Sequence, residues 1–183
     1  DDRGRALVSR ADQGFLRLSF ADDHKSVARV EPILSDLREV RGLLFENGQF
    51  FADANNSKGM YSFRLKEDGS VVDQKLLRGF PGDVGHGRND LAAGRDGVSQ
   101  SVYAIFGDSV ARPEEAPSAD FRDLTSPLRT SRQRLAQGEK PLKEGYVVRT
   151  DLKSGRWQLF SCGLRNPYGI AAHPNGDLFT YDA

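Results

Sequence analysis

Short apolar runs broken by Gly-containing polar turns recur along this chain. In "RGLLFENGQFFADA" from Arg41, "NDLAAGRDGVSQSVYAIFGD" from Asn89 and "YGIAAHPNGDLFTYDA" from Tyr168, one apolar run meets a turn and a second run ends near an Asp. The turns are Glu46-Asn47-Gly48, Arg95-Asp96-Gly97 and Pro174-Asn175-Gly176. Asn-Gly and Asp-Gly accept positive φ at little cost, as a tight hairpin requires. The flanking runs are rich in Phe, Tyr, Leu, Ile and Val, so they are predicted as strands. A further segment, "DDRGRALVS" from Asp1, resembles the start of this scheme.

A second unit separates these hairpins. "GFLRLSFADDHKSVARVEPIL", "GMYSFRLKEDGSVVDQKLL" and "GYVVRTDLKSGRWQLFSCG" each run from Gly-aromatic through an alternating strand and a polar turn to another strand. Two hairpins per unit make four strands. The pattern predicts an all-β fold, a partial β-propeller of four-stranded antiparallel blades across residues 1–183. About three blades and the start of a fourth are expected, a piece of a six-bladed propeller, because propellers close with about 4–8 blades. A β-sandwich fits the strand number but not the regular repeat. The interval 109–144 lacks alternation and is rich in Pro, Arg and Glu, so it is expected to be an inserted loop, with a short helix considered over Ser131 to Gln137.

Composition narrows the functional classes. The chain has 183 residues, 38% hydrophobic and 28% charged, as a globular domain does. Its 26 basic and 26 acidic side chains cancel, which removes an electrostatic argument for nucleic acid or an anionic membrane. No apolar stretch has membrane-spanning length. A single cysteine, Cys162, excludes an internal disulfide and is expected to be a structural thiol. The only methionine is Met60, and the last strand pattern runs to the final residues, so a piece of a longer polypeptide is expected.

Two motifs then suggest chemistry. Gly163-Leu164-Arg165-Asn166-Pro167-Tyr168-Gly169-Ile170, followed by Pro174-Asn175-Gly176-Asp177-Leu178-Phe179, resembles a segment of soluble PQQ-dependent glucose dehydrogenases and of the L-sorbosone dehydrogenase family. Gly85-His86-Gly87-Arg88-Asn89-Asp90-Leu91, running on to Gly94 and Asp96-Gly97 and ending "VYAIFGD" at Asp108, is similar to a second segment of that family, in the right order. The resemblance implies a quinoprotein-type oxidoreductase that oxidises a sugar or aldose hydroxyl by hydride transfer to PQQ. It implies His86 as the catalytic base and Arg165 and Asn166 as cofactor contacts. It also implies calcium, with ligands beyond the end of this chain, a periplasmic or secreted location, and a fused or separate cytochrome c as electron acceptor.

The residue types suit that chemistry. Oxidising an alcohol carbon needs a base for the hydroxyl proton, and histidine, with an ordinary pKa of about 6.5, titrates near working pH. Gly85 and Gly87 allow a flat ligand to approach the backbone. Arg88 and Asn89, next in sequence, belong at a propeller mouth rather than in a core. Arg165 offers a planar fork of donors for carboxylate or quinone oxygens. The repeat places both loops before the first strand of a hairpin, so both are expected on one face near the axis.

Plainer readings accompany each candidate. His86 also reads as an exposed loop histidine, and Asn166-Pro167 as a turn entering a strand. His24 reads as solvated and His173 as part of a turn; the three histidines lack metal-ligand spacing. Asp53, Asp108 and Asp182 are expected at equivalent strand ends, capping turns. Trp157 and the tyrosines are expected in the core. A non-catalytic propeller that binds a protein or glycan remains the alternative function, since fold does not fix function. A metal-dependent lactonase would need converging carboxylates that these segments do not supply.

Overall fold

A computed structural model describes residues 4–94, 100–112 and 144–183. Those residues form thirteen strands and one 3-10 turn, Ala11–Gln13. The strands are β1 (Ala6–Ser9), β2 (Phe15–Phe20), β3 (Val27–Ile33), β4 (Val40–Glu46), β5 (Gln49–Ala54), β6 (Gly59–Leu65), β7 (Val71–Gly79), β8 (Arg88–Ala93), β9 (Ser101–Phe106), β10 (Gly145–Asp151), β11 (Trp157–Leu164), β12 (Pro167–Ala172) and β13 (Leu178–Asp182). They make four antiparallel sheets, β1–β3, β4–β7, β8–β11 and β12–β13, each with its strands in chain order. The all-β expectation holds. Four strands per sheet holds only for the second and third sheets. The first has three strands because "DDRGRALVS" contributes the single strand β1 rather than a hairpin.

Local chemistry accounts for the hairpins. Asn47 and Gly48 join β4 to β5 with φ of 52° and 76°, the left-handed pair that a two-residue turn demands. Gly176, at φ 97°, serves the turn between β12 and β13. The Arg95-Asp96-Gly97 turn and the helix considered over Ser131 to Gln137 lie outside the described residues. So does most of the expected insertion, although its start departs from a plain loop. Val110 is buried and bridges to Gly82.

Three apolar layers separate the sheets. Phe15 of the first sheet meets Phe50, Ala52, Ala54 and Phe63 of the second. Phe51 and Met60, on the opposite face of the second, meet Leu91, Val102, Ala104 and Phe106 of the third. Tyr103, Ile105 and Val147, on the far face of the third, meet Ile170 of β12. β5 and β9 are covered on both faces, which is why they read as nearly continuous apolar runs. Aromatic stacking strengthens the middle layer, with Phe106 and Tyr146 ring centroids 4.9 Å apart.

Strands β4, β8 and β12 neighbour one another across the sheets. Each carries a register shift at the same point, between Val40 and Gly42, Arg88 and Asp90, and Pro167 and Gly169. The extra residues are Arg41, Asn89 and Tyr168. A bulge re-aims the side chain it inserts and sharpens the local twist. All three bulges lie at the start of the first strand of a hairpin, so they define one rim.

Two expectations about side chains change here. Asp53, Asp108 and Asp182 are not equivalent. Asp53 pairs with Gly42 inside the ladder, Asp182 with Pro167 at its end, and Asp108 lies beyond β9. The bulges fall at the same point of each hairpin, so they serve as a common reference: Asp53 pairs on the inner side of its bulge, Asp182 on the outer side, and Asp108 lies past the end of its strand. Tyr103 and Tyr146 are core residues as expected, and Trp157 packs on the same cluster. Tyr168 and Tyr181 instead stack on each other in solvent.

Candidate functional site

The rim where the bulges lie is built around residues 84–89. Nearly every backbone position of this loop is held. The Asn55 amide nitrogen donates to the Val84 carbonyl at 2.9 Å, and Arg41 Nη1 donates to the Gly85 carbonyl at 3.4 Å. The His86 N–H donates to Ser109 Oγ at 3.3 Å, and its carbonyl accepts from the Ser109 N–H at 3.3 Å. The Gly87 carbonyl accepts from Gly107, and the Arg88 N–H donates to Asn55 Oδ1 at 3.1 Å. Glycine at 87 has a steric reason, since a Cβ there would stand 2.0 Å from Asn55 Oδ1.

The His86 side chain projects from this fixed loop and is 31% exposed. Its Nδ1 lies 2.8 Å from Asp108 Oδ1. An ionised carboxylate only accepts, so Nδ1 carries the proton and donates. Nε2 is then the nitrogen with a free lone pair. Asp108 was expected to cap a turn; it orients an imidazole instead. His24 is exposed, as expected, and His173 engages Asn175 within its own turn.

Arg165 and Asn166 lie at the same rim. The Asp108 N–H donates to the Arg165 carbonyl at 2.8 Å, which ties the loop after β9 to the bend before β12. Asp182 does cap. Its two carboxylate oxygens accept from the Arg165 N–H at 2.8 Å and the Asn166 N–H at 2.6 Å. The Arg165 guanidinium is exposed and donates to the Ala183 carbonyl at 2.8 Å. Asn166 is only 7% exposed, and its Oδ1 accepts from Asn89 Nδ2 at 3.1 Å.

Arg88 departs most from expectation. It is fully buried, not at a mouth. Nε and Nη2 both donate to the Phe80 carbonyl, and Nη1 donates to the carbonyl and side-chain oxygens of Asn55 at 3.1 Å each. Carbonyl acceptors therefore carry the guanidinium into the core. Nearby Asp53 is fully buried, and neither of its oxygens has a partner among the described residues. Burial pushes its carboxyl well above the usual range, with Arg88 only partly opposing the rise. Burial also raises Asp90, against two backbone N–H donors, from Ile170 and Leu91.

The motifs pointed to His86, Arg165 and Asn166, missed Arg41 and Asn55, and included Asp108 only as an expected cap. Arg41 and Asn89 share a signal, a polar residue at the start of successive hairpins. Recognising it needed the bulges. Cys162 is half-buried and free, and burial raises its thiol pKa. Among the described residues no group of three or more His, Cys, Asp or Glu side chains is placed to hold a metal ion. No family model matches the chain, and no curated protein matches it.

Proposed function

We propose that this rim belongs to a quinoprotein-type oxidoreductase that oxidises a sugar or aldose hydroxyl. The observation that carries the reading is the His86–Asp108 pair, joined through the Asp108 N–H to the Arg165-Asn166 bend. His86 Nε2 would take the hydroxyl proton of the substrate, while Asp108 holds the ring and balances its charge, the division of labour of other His–carboxylate pairs. Arg165 supplies a cationic fork and Asn166 an amide donor, groups that match the carboxylate and carbonyl oxygens of a polyanionic quinone. PQQ, when bound, would supply the oxidant that takes the hydride from the substrate carbon. Among the described residues no three His, Cys, Asp or Glu side chains converge, so a calcium ion would be held by backbone carbonyls or by residues outside them.

The finer fold proposal is a propeller blade series. Supporting it are the four sheets in chain order, the bulge repeated in β4, β8 and β12, and the uncovered apolar ends of the stack. In the first sheet, Val8 pairs with Leu16 and Val30 with Leu18 on the face opposite Phe15; Val8 and Val30 are exposed. At the other end Phe179 and Tyr181 are exposed. Further sheets of the same repeat would bury both faces. A periplasmic or secreted protein handing electrons to a cytochrome c fits this reading. No helix among the described residues is long and apolar enough to cross a membrane.

The test is reconstitution with PQQ and calcium, followed by dye reduction with a panel of aldoses. Activity abolished by His86→Ala supports the assignment; neither quinone binding nor turnover in the intact protein refutes it. A second reading, a β-sheet stack that binds a glycan or protein on its open end instead of a further sheet, is favoured by the solvent-facing Tyr168–Tyr181 stack. It predicts ligand capture that His86→Ala leaves intact and Tyr168→Ala removes.

A further inference from the structure

The bulged side chains form a directional chain of hydrogen bonds. Arg41 Nη1 donates to Asn89 Oδ1 at 3.0 Å, and Asn89 Nδ2 donates to the Pro167 carbonyl at 2.6 Å and to Asn166 Oδ1 at 3.1 Å. The orientation of Asn89 leaves no choice. A guanidinium can only donate and a carbonyl can only accept, so the Asn89 oxygen must face Arg41 and its nitrogen must face Pro167. Asn89 is 4% exposed, so no bulk water competes for either end. Asn166 therefore meets an NH2 group and must turn its own oxygen toward it. Its Nδ2 points the other way. No described residue accepts from that nitrogen, and it is not among the fully buried atoms left without a partner, so the small exposed part of Asn166 includes it.

We propose that Arg41 and Asn89 are positioning residues that fix the polarity of Asn166, so that the rim presents an amide donor and not an amide acceptor. The ligand this selects meets Asn166 through an acceptor oxygen, a carbonyl or carboxylate, rather than through a hydroxyl proton. The inference rests on the reading of this rim as a ligand site. It adds what that reading lacked: a reason for Arg41, and a role for Asn89 separate from the proton chemistry of His86. Glu39 holds the far side of the Arg41 guanidinium through Nε and Nη2, which leaves Nη1 for Asn89 and Gly85. The chain is thus anchored at its start.

The test follows side-chain amide protons in the 15N-labelled full chain. In the unmodified protein the Asn166 NH2 should exchange rapidly with water and the Asn89 NH2 slowly; the reverse order overturns the proposal whether or not any variant folds. Asn89→Asp keeps the shape and the Arg41 contact; ionised, it gives up the bond to the Pro167 carbonyl and offers Asn166 an acceptor in place of a donor. Asn166 should then turn, and its NH2 exchange should slow by about fivefold, the worth of one net hydrogen bond. Asn89→Ala should not slow it. An Asn89→Asp protein that is folded, carries an ionised carboxylate at 89 by its 13C shift, and retains rapid Asn166 exchange refutes the polarity argument. Binding separates this from the functional reading. If PQQ binds the unmodified chain, Asn89→Asp should weaken it by about tenfold, since Asn166 would turn its oxygen toward the ligand. If PQQ does not bind at all, the functional reading fails while the exchange contrast still decides the proposal.

Discussion

Asp53→Asn should stabilise this protein and flatten its pH dependence. Asp53 stands between the second and third sheets, paired in register with Gly42 and Met60 and fully excluded from water. Neither carboxylate oxygen has a partner among the described residues. The nearby cation does not bond to it, because the Arg88 donors are taken by Phe80, Asn55 and Asp83. Burial raises the folded-state pKa well above the ordinary value, Arg88 opposes the rise, and Asp90 adds to it. The sign follows. The folded chain binds this proton more tightly than the unfolded chain does. Its contribution is fully present below the unfolded value of about 3.9 and is lost as pH rises toward the folded value, at up to about 1.4 kcal/mol per pH unit. Asparagine cannot ionise and orphans no donor on Arg88. Because the amide is left as unpaired as the protonated carboxyl, the gain comes only from removing that ionisation cost, and at neutral pH it should be about 1–3 kcal/mol within that linkage slope. Urea melts of both proteins from pH 4.5 to 8 provide the assay. The difference in unfolding free energy should widen with pH. Parallel curves across that range would show that Asp53 is either solvated or bonded, and the account of the middle layer would be wrong.

Gly87→Ala drives a Cβ to 2.0 Å from Asn55 Oδ1 and should cost about 1–3 kcal/mol in a denaturant melt, while Gly79→Ala, with open space at the Cβ, should cost less than about 1 kcal/mol. Phe106→Ala empties the middle layer and should cost about 3–5 kcal/mol, whereas Phe179→Ser, on the uncovered face of β13, should stay within about 0.5 kcal/mol by the same measurement. Asp108→Asn should leave the melt nearly unchanged, shift the His86 ring from the Nδ1–H tautomer in 15N spectra, and lower any turnover by about 10²-fold or more.

The hairpins could be read from the residues because their cause is local. Asn47-Gly48 and Gly176 meet a backbone demand within a few positions, and alternating apolar runs declare strands wherever one face is covered. The same locality explains the errors. "DDRGRALVS" carries the apolar run of a hairpin, yet its fellow strands settle as β2 and β3. Arg88 looks like a rim residue until the Phe80 and Asn55 carbonyls are seen to surround it. The three aspartates look equivalent until each is placed against the bulge its hairpin shares with the others, and they fall at three different positions.

Turn chemistry and the alternation of apolar side chains settled, before any folding, that this chain would be a succession of antiparallel strands, and the motifs singled out His86, Arg165 and Asn166. Only the folded molecule decided that Asp108 serves the imidazole, that Asn89 turns the Asn166 amide, and that Asp53 is buried without a partner among the described residues. Strand pairing is written in neighbours along the chain. Hydrogen bonds between sheets join residues from distant hairpins, and where each donor lands depends on a bulge that moves a side chain by one position.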